Sequence, residues 1–360
     1  MKSCLALLLF ALSAVSVVAG ERVAYVSAGG KLHVYSVADS TGKLTPLQQL
    51  ESGGLIAISP DKSKLYTHGM NIFSHEILPD GQLELLGEMK SDRGGSYLDI
   101  DATGKFLAAP NYGEGSVRVW EINDEGVCAG APVVDMILEK KAHSSVFSPN
   151  NRFLLVPATE PNKVFQLKFD QETGSTIPND PPSAIGPTKE GDAKQPRNIR
   201  FHPNGRVAYT TLEREQPGVG VWKWDAASGD LKVIQNIVTL PENFSGSITT
   251  ADLHLTPNAK FLYVSNRDLT DRKAKTGQSS IVGFKVDSET GKLSLIGHTD
   301  CEHIPRSFAI DEAGEFLYVA GQMAEKIGAY KIDQQTGELS RVQQFDLPGK
   351  PNWVKCLTLD

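Results

Sequence analysis

Residues 253–265 read LHLTPNAKFLYVS, which is two short apolar runs joined by a Pro-Asn turn signal. Apolar and polar residues alternate in the first run, and the second is rich in the aromatic and β-branched residues that strands favour. Because Pro presets φ and Asn tolerates a positive φ, the centre of this stretch predicts a tight turn between two antiparallel strands. The same pattern occurs at five further places: IAISPDKSKLYTH (56–68), LDIDATGKFLAAP (98–110), SVFSPNNRFLLVP (145–157), IRFHPNGRVAYTT (199–211) and FAIDEAGEFLYVA (308–320).

A second pattern follows each copy of the first and consists of a strand, a polar turn that ends in Gly, and another strand. It occurs seven times, and its turn glycines are Gly42, Gly81, Gly126, Gly174, Gly229, Gly291 and Gly337. Two such halves make one four-stranded blade, and a unit repeated at this spacing is typical of a propeller. The repeats therefore predict an all-β fold, a seven-bladed β-propeller with four-stranded blades.

The first pattern is complete in only six copies, and the seventh is split between the two ends of the chain. The stretch NWVKCLTLD from Asn352 supplies one strand, and RVAYVSAGG from Arg22 supplies the next. We therefore expect N- and C-terminal strands to share one blade and close the ring, which removes free sheet edges. Residues 20–360 then form a single propeller domain, in which the proline-rich stretch 175–194 is predicted to be a surface loop between blades.

The first residues have the pattern of a secretory signal peptide. Lys2 is followed by an apolar run from Leu5 to Val18, and a small residue stands at Ala19. We therefore predict that residues 1–19 are a signal peptide and that the mature protein is periplasmic or secreted. The alternative is an uncleaved anchor, for which the apolar run is short. After cleavage we expect no contact with a membrane.

Composition excludes several further classes. The chain of 360 residues has a formal net charge of −7 and no long basic run, so we expect no nucleic-acid partner. Cys128, Cys301 and Cys356 are too scattered to define a disulfide framework, and any pairing among them stays open. His298 and His303 flank Cys301, but no second cluster completes a tetrahedral set, so we expect no metal. We also expect no cofactor, and the oligomeric state stays open.

The repeat alignment selects candidate site residues without any homologue. Residues just before the first strand of a blade, and just after its second strand, lie at one face of a propeller near the channel. Charged groups in such a desolvated place are costly unless they are paired or used. The positions six residues before and ten residues after the turn anchor (the place of Pro257 in each copy) hold His143, Arg197, Arg306, Tyr112, Glu213, Arg267 and Gln322, besides Met70 and four small residues.

This set predicts a cationic pocket with one imidazole and one carboxylate. His143 and Glu213 are the candidate general acid and base, with the two roles unassigned. Arg197 and Arg267 are the candidates to stabilise an oxyanion or hold an anion, and Arg306, Tyr112 and Gln322 to bind substrate. The alternative is a set of structural ion pairs, such as Glu213 with Arg267.

Several of these segments resemble the propeller-type 6-phosphogluconolactonases. The resemblance lies in AHSSVFSPNNRFLLVPA (142–158), QPRNIRFHPNGRVAYTTLE (195–213) and LPENFSGSITTADLHLTPNAKFLYVSNRD (240–268), and it extends over nearly the whole mature chain. It implies a seven-bladed propeller and an active site of one His, two Arg and one Glu, which correspond to His143, Arg197, Arg267 and Glu213.

The sequence departs from that family in places that bear on the substrate. Asn198 stands where the family usually has His, and we expect it to contact substrate. The stretch DLTDRKAKTGQSS from Asp268 makes a longer, basic loop at the rim. Export would make a sugar phosphate an unusual substrate, so an unphosphorylated lactone is an alternative substrate.

The function predicted from the sequence is hydrolysis of a sugar δ-lactone, 6-phosphogluconolactone or gluconolactone, to the aldonate, with a small-molecule lactone as the partner. Two alternatives stay open. One is a cycloisomerase acting on a muconate-like diacid, because an arginine-rich pocket suits dicarboxylates equally well. The other is a propeller that binds or scaffolds without chemistry, because this fold supports many unrelated functions.

Overall fold

The structure is a computed structural model that describes residues 20–186, 195–242 and 244–359. Strands account for the regular structure of these ranges, and no helix in them is both long and apolar enough to cross a bilayer. The predicted signal peptide, residues 1–19, lies outside the described residues.

The described strands form seven four-stranded antiparallel sheets, which are the blades of the propeller. In chain order the strands are β1 (Arg22–Ala28), β2 (Lys31–Val37), β3 (Leu44–Leu50), β4 (Leu55–Ile58), β5 (Lys64–His68), β6 (Asn71–Ile77), β7 (Leu83–Lys90), β8 (Asp99–Ile100), β9 (Phe106–Asn111), β10 (Ser116–Glu121), β11 (Val134–Ile137), β12 (Val146–Phe147), β13 (Phe153–Ala158), β14 (Lys163–Phe169), β15 (Thr176–Ile185), β16 (Pro196–Phe201), β17 (Val207–Leu212), β18 (Gly218–Asp225), β19 (Asp230–Val238), β20 (Ile248–Leu255), β21 (Phe261–Asp268), β22 (Ser280–Val286), β23 (Leu293–Asp300), β24 (Pro305–Ile310), β25 (Phe316–Gly321), β26 (Lys326–Ile332), β27 (Leu339–Asp346) and β28 (Trp353–Thr358).

Blade 1 is ordered β28-β1-β2-β3, and blades 2 to 7 each take the next four consecutive strands, beginning with β4–β7 and ending with β24–β27. The first strands of blades 5, 6 and 7 contact one another in turn, and that of blade 7 contacts β28, so the innermost strands surround a common channel. The predicted all-β fold with seven four-stranded blades is confirmed.

The ring is closed by strands from opposite ends of the chain. β28 pairs antiparallel with β1, from Ser27 opposite Trp353 to Arg22 opposite Thr358. The indole Nε1 of Trp353 also donates to the carbonyl of Ile56 in blade 2 at 3.1 Å. The predicted split blade is therefore present, and it is joined to its neighbour by both packing and a hydrogen bond.

The apolar core lies between the blades. Each of the seven buried clusters combines side chains of neighbouring blades, as when Phe316 of blade 7 packs with Tyr35 of blade 1. Because apolar burial provides most of the stabilisation of a fold, these interfaces hold the ring together. The innermost strands are then free to present polar residues to the channel.

Tyrosines in the second strands join adjacent blades to the predicted turn glycines. Tyr263 donates its hydroxyl to the carbonyl of Gly337 at 2.8 Å, and the same bond recurs at four other interfaces. All seven turn glycines have positive φ, between 65° and 79°, which only Gly adopts at little cost. The other pairs are Tyr25 with Gly81, Tyr66 with Gly126, Tyr209 with Gly291 and Tyr318 with Gly42.

The prediction of a surface loop at residues 175–194 was wrong for its first part. Residues Thr176–Ile185 form β15, the outermost strand of blade 4, which pairs with β14 across an irregular register. Prolines are tolerated there because one side of an outermost strand has no ladder partner to lose. Residues 187–194 lie outside the described part of the chain.

Candidate active site

One cavity of about 460 Å³ opens at the face of the ring where the repeat alignment placed its candidates. It is lined by residues from blades 3 to 7: Gly95, Ser96, Tyr112, His143, Glu213, Arg214, Arg267, Leu269, Arg272, Ile304, Arg306, Gln322 and Met323. Six of the eight predicted site residues are in this set. Arg197 and Asn198 are not, and both are buried below it with 2% of their surface exposed.

Irregularities in the innermost strands of three consecutive blades shape this end of the channel. In β16, Arg197 and Asn198 stand opposite Thr211 alone, and in β20 Ala251 and Asp252 stand opposite Ser265 alone. β24 has the same one-residue excess beside Arg306. Such bulges re-aim side chains and are frequent next to active sites.

Glu213 and Arg267 form the central ion pair of the cavity. Arg267 donates through Nη2 to Oε1 of Glu213 at 2.7 Å and to the backbone carbonyl of Thr250 at 3.0 Å. The other carboxylate oxygen, Oε2, is buried and accepts no hydrogen bond from any described residue. The ion pair named as the structural alternative is therefore formed, and it leaves one carboxylate oxygen of a cavity-lining residue without a hydrogen-bond donor from the described residues.

Arg197 supports this pair from below. Its Nη1 donates to the carbonyl of Ala251 at 2.6 Å, and its Nε lies 3.9 Å from Oε1 of Glu213. The guanidinium is thus placed to stabilise the carboxylate of Glu213 electrostatically.

The charge state of Glu213 follows from these neighbours. Burial by itself raises the pKa of this carboxyl, but Arg197, Arg267 and Arg214 outweigh that effect and hold the pKa below its ordinary value. Glu213 is therefore an ionised carboxylate at neutral pH, and it has no proton to give.

His143 lies in the same cavity with a ring that hydrogen-bonds to no other described residue. It is 5% exposed, its Nδ1 is buried without a partner, and Tyr112 packs edge-on against it with ring centroids 5.4 Å apart. Burial and the positive charges of Arg197, Arg306 and Arg267 lower its pKa well below the ordinary value. The imidazole is therefore neutral at neutral pH and has a lone pair to offer.

Positive charge dominates the lining. Four arginines and a single carboxylate face the cavity, and three of those arginines lack a close acidic partner in the described chain. Arg306 and Arg272 have none, and Arg214 has only Glu213, with its Nε 4.0 Å from Oε2. The sequence pattern missed Arg214, which directly follows Glu213, and it located Arg272 only as part of a basic rim loop.

Asn198 forms hydrogen bonds that link strands beneath the cavity. Its Nδ2 donates to Oδ1 of Asp252 at 2.9 Å, and its backbone N–H donates to the hydroxyl of Thr211 at 3.1 Å. Asp252 also accepts from the backbone N–H of Leu253 and pairs with Arg200 and His254. The residue predicted to contact substrate thus links the innermost strands of blades 5 and 6 beneath the cavity.

The histidine and cysteine residues considered for a metal each have separate partners. His298 bonds the carbonyl of Thr239, His303 lies beside the hydroxyl of Ser279, and the Cys301 thiol faces the carbonyl of Glu302. Within the described ranges no three metal-ligating side chains converge. Cys128, Cys301 and Cys356 are free thiols.

The fold is that of a lactonase-type propeller. The family model described as "Lactonase, 7-bladed beta-propeller" matches residues 17–356, and the chain belongs to that family. Among its relatives, the 6-phosphogluconolactonase of Yersinia pestis (strain Pestoides F) is 32% identical over 331 residues, which are 90% of this chain and 94% of that protein. The 6-phosphogluconolactonase of Pectobacterium atrosepticum is 32% identical over 348 residues, 94% of this chain and all of that protein.

A solved structure shares the whole architecture. The periplasmic gluconolactonase PpgL of Pseudomonas aeruginosa superposes with a TM-score of 0.84 at 24% identity, over 94% of this chain and all of that one. At that identity the likeness concerns the fold, and the resemblance expected from the sequence is confirmed by the family and its relatives.

Proposed function

We propose that the protein is a hydrolase that opens a sugar δ-lactone to the corresponding aldonate. The observation that carries the proposal is that a neutral His143 and an ionised Glu213 both line one arginine-rich cavity. The relatives named 6-phosphogluconolactonase, at 32% identity over almost the full chain, support the same class of reaction.

The protonation states decide how the proton moves. Neither His143 nor Glu213 carries a labile acidic proton at rest, so the proton that reaches the ring oxygen comes from the attacking water. We assign its transfer to His143, because its ring is free of hydrogen bonds to other residues, while Glu213 is held by Arg267. Water adds to the carbonyl carbon as the imidazole takes one proton. The ring C–O bond then breaks, and the imidazolium returns that proton to the leaving oxygen.

The arginines stabilise the charge that develops in this sequence. Arg267 and Arg306 line the cavity beside Glu213 and His143, so a guanidinium can face the carbonyl oxygen as it becomes an oxyanion. Glu213 fixes Arg267 through the 2.7 Å bond, and its free Oε2 can accept a hydrogen bond from the attacking water. Arg197 keeps this carboxylate ionised from below.

The test is hydrolysis of glucono-δ-lactone and 6-phosphoglucono-δ-lactone by the purified mature protein, measured above the spontaneous rate. His143→Ala should lower kcat by about 10²-fold or more, as expected for loss of a positioned base. A muconate-type diacid converted to a lactone would instead identify a cycloisomerase. Binding without turnover of any of these compounds would identify a propeller without chemistry.

We also propose that the protein works outside the cytoplasm, on the strength of the apolar run between Leu5 and Val18 behind Lys2. N-terminal sequencing of the protein recovered from the periplasm or medium should begin at Gly20. Recovery of the full-length chain from the cytoplasm would contradict the proposal.

A further inference from the structure

Two arginines of the site donate to consecutive backbone carbonyls of β20. Nη2 of Arg267 donates to the carbonyl of Thr250 at 3.0 Å, and Nη1 of Arg197 donates to the carbonyl of Ala251 at 2.6 Å. The backbone N–H of Thr250 also donates to the carbonyl of Glu213 at 3.1 Å. The two guanidinium groups beside the Glu213 carboxylate are therefore positioned by the backbone of one short segment of blade 6.

Asp252, the next residue of this segment, fixes the direction of one of these carbonyls. The carbonyl of Ala251 and the backbone N–H of Asp252 belong to the same planar peptide unit, so neither can turn without the other. That N–H donates to the hydroxyl of Ser265 at 3.0 Å, within the bulge where both residues stand opposite Ser265. The Asp252 carboxylate also accepts the backbone N–H of Leu253 at 3.0 Å. A chain of contacts thus runs from Ser265 through one rigid peptide unit to Arg197.

Asp252 also supplies negative charge beneath the cavity. It is 1% exposed and is not among the residues that line the cavity. Burial, followed by the charge of Arg267, lowers the pKa of Arg197 and of Arg306. The carboxylates of Glu213 and Asp252 act in the opposite direction and raise the pKa of both arginines. Because buried guanidinium groups repel one another, a second carboxylate below them lowers the energy of holding them close together.

We propose that Asp252 is a positioning residue of the site, which holds Arg197 and Arg267 in their working geometry without touching the substrate. It acts on Arg197 through the shared peptide unit and through its charge, and on Arg267 by keeping β20 in its bulged form. The inference rests on the proposed lactonase function and adds a residue outside the cavity on which turnover depends. Without Asp252, the guanidinium of Arg267 loses its alignment with the developing oxyanion, so the transition state loses more stabilisation than the bound lactone does.

The first test compares kcat and KM of Asp252→Asn with those of the parent protein on glucono-δ-lactone. The amide keeps the size of the side chain but removes its charge, so kcat should fall on the order of 10²-fold, as expected for misaligned groups, with KM nearly unchanged. Asp101→Asn is the matched control. Asp101 is 0% exposed, accepts the backbone N–H of Lys105 at 2.9 Å and does not line the cavity. This control should lose stability as well, but it should retain the kcat of the parent.

Ser265→Ala tests the peptide unit by itself, and it also serves if Asp252→Asn does not fold. The change removes the acceptor of the Asp252 N–H and leaves the carboxylate in place. We expect kcat to fall by about three- to tenfold, as for the loss of one hydrogen bond, and KM to stay the same. An unchanged kcat in folded Ser265→Ala, or an equal fall of kcat in Asp101→Asn, would overturn the inference.

Nitrogen-15 NMR of the arginine side chains separates this inference from the proposed function. The Nε–H signals of Arg197 and Arg267 should move in Asp252→Asn and in Ser265→Ala, and they should stay in place in Asp101→Asn. If the parent hydrolyses no lactone, the function fails, whereas these shifts would still support the positioning of the two arginines by Asp252. Signals that stay in place in both variants would exclude that positioning, whatever the activity.

Discussion

Asn198 donates its side-chain amide to Asp252 at 2.9 Å, which joins the bulged innermost strands of blades 5 and 6 directly beneath the cavity. Burial alone raises the pKa of Asp252, but His254, Arg200 and Asn198 together hold the pKa far below its ordinary value. The carboxylate is therefore ionised in a nearly dry place, and it depends on each of its donors.

Replacement of Asn198 by Ala should lower the free energy of unfolding by about 1–3 kcal/mol, because a buried carboxylate loses a donor. Denaturant unfolding measures this change. The KM for the lactone should change little, since Asn198 is not among the residues that line the cavity. An unchanged stability with a strongly raised KM would instead place Asn198 in contact with substrate.

Replacement of Glu213 by Gln should lower kcat/KM by about 10²-fold or more. The amide keeps the shape of the side chain but removes the charge that Arg267 and Arg197 neutralise, so two buried guanidinium groups are left without a counter-charge. Steady-state hydrolysis with far-ultraviolet circular dichroism as a folding control measures the effect. Wild-type activity in a folded Glu213→Gln protein would show that the ion pair is structural only.

The pH dependence of kcat/KM should reflect the lowered pKa of His143. Because the imidazole acts in its neutral form, activity is retained as pH falls through the ordinary value of 6.5 and declines only near the lower pKa of the folded protein. Arg306→Met removes one of the positive charges that lower this pKa, so the acidic limb should move to higher pH. A limb near 6.5 in the parent, unmoved in the variant, would exclude His143 as the base.

Replacement of Tyr263 by Phe should lower the free energy of unfolding by about 1 kcal/mol, since the carbonyl of Gly337 loses its hydroxyl donor at a blade interface. Tyr35→Phe is a suitable control, because Tyr35 is also buried and its hydroxyl donates to no described residue. Activity should be unchanged in both variants. A similar loss of stability in the control would show that the hydroxyl bond contributes nothing specific.

The propeller could be predicted because each blade repeats the same turn chemistry, and the period of a strand fixes which residues share a face. The register of the repeats alone selected His143, Glu213 and Arg267, which the structure brings to one cavity. Their chemical roles stay predictions.

The parts of the fold and of the site that the sequence did not predict depend on local geometry, which a pattern of residue types does not show. The repeat register predicted Arg197 at the cavity wall, but Arg197 is buried below the cavity, in a one-residue bulge of β16. β15 was missed because its prolines mimic a loop. Arg272 was located only as part of the rim loop, whose ends are held by Asp268, the acceptor of the backbone N–H groups of Thr270 and Gln278. Each outcome follows from tertiary context rather than local preference.

The pairing of β28 with β1 also sets the order in which the molecule can mature. Blades 2 to 7 are each built from four consecutive strands, but blade 1 needs β28, which follows all the other described strands in the chain. Until β28 pairs with β1, the inner edge of β1 has no partner strand. If the chain is exported in extended form, as proposed above, blade 1 can be completed only after β28 has crossed the membrane.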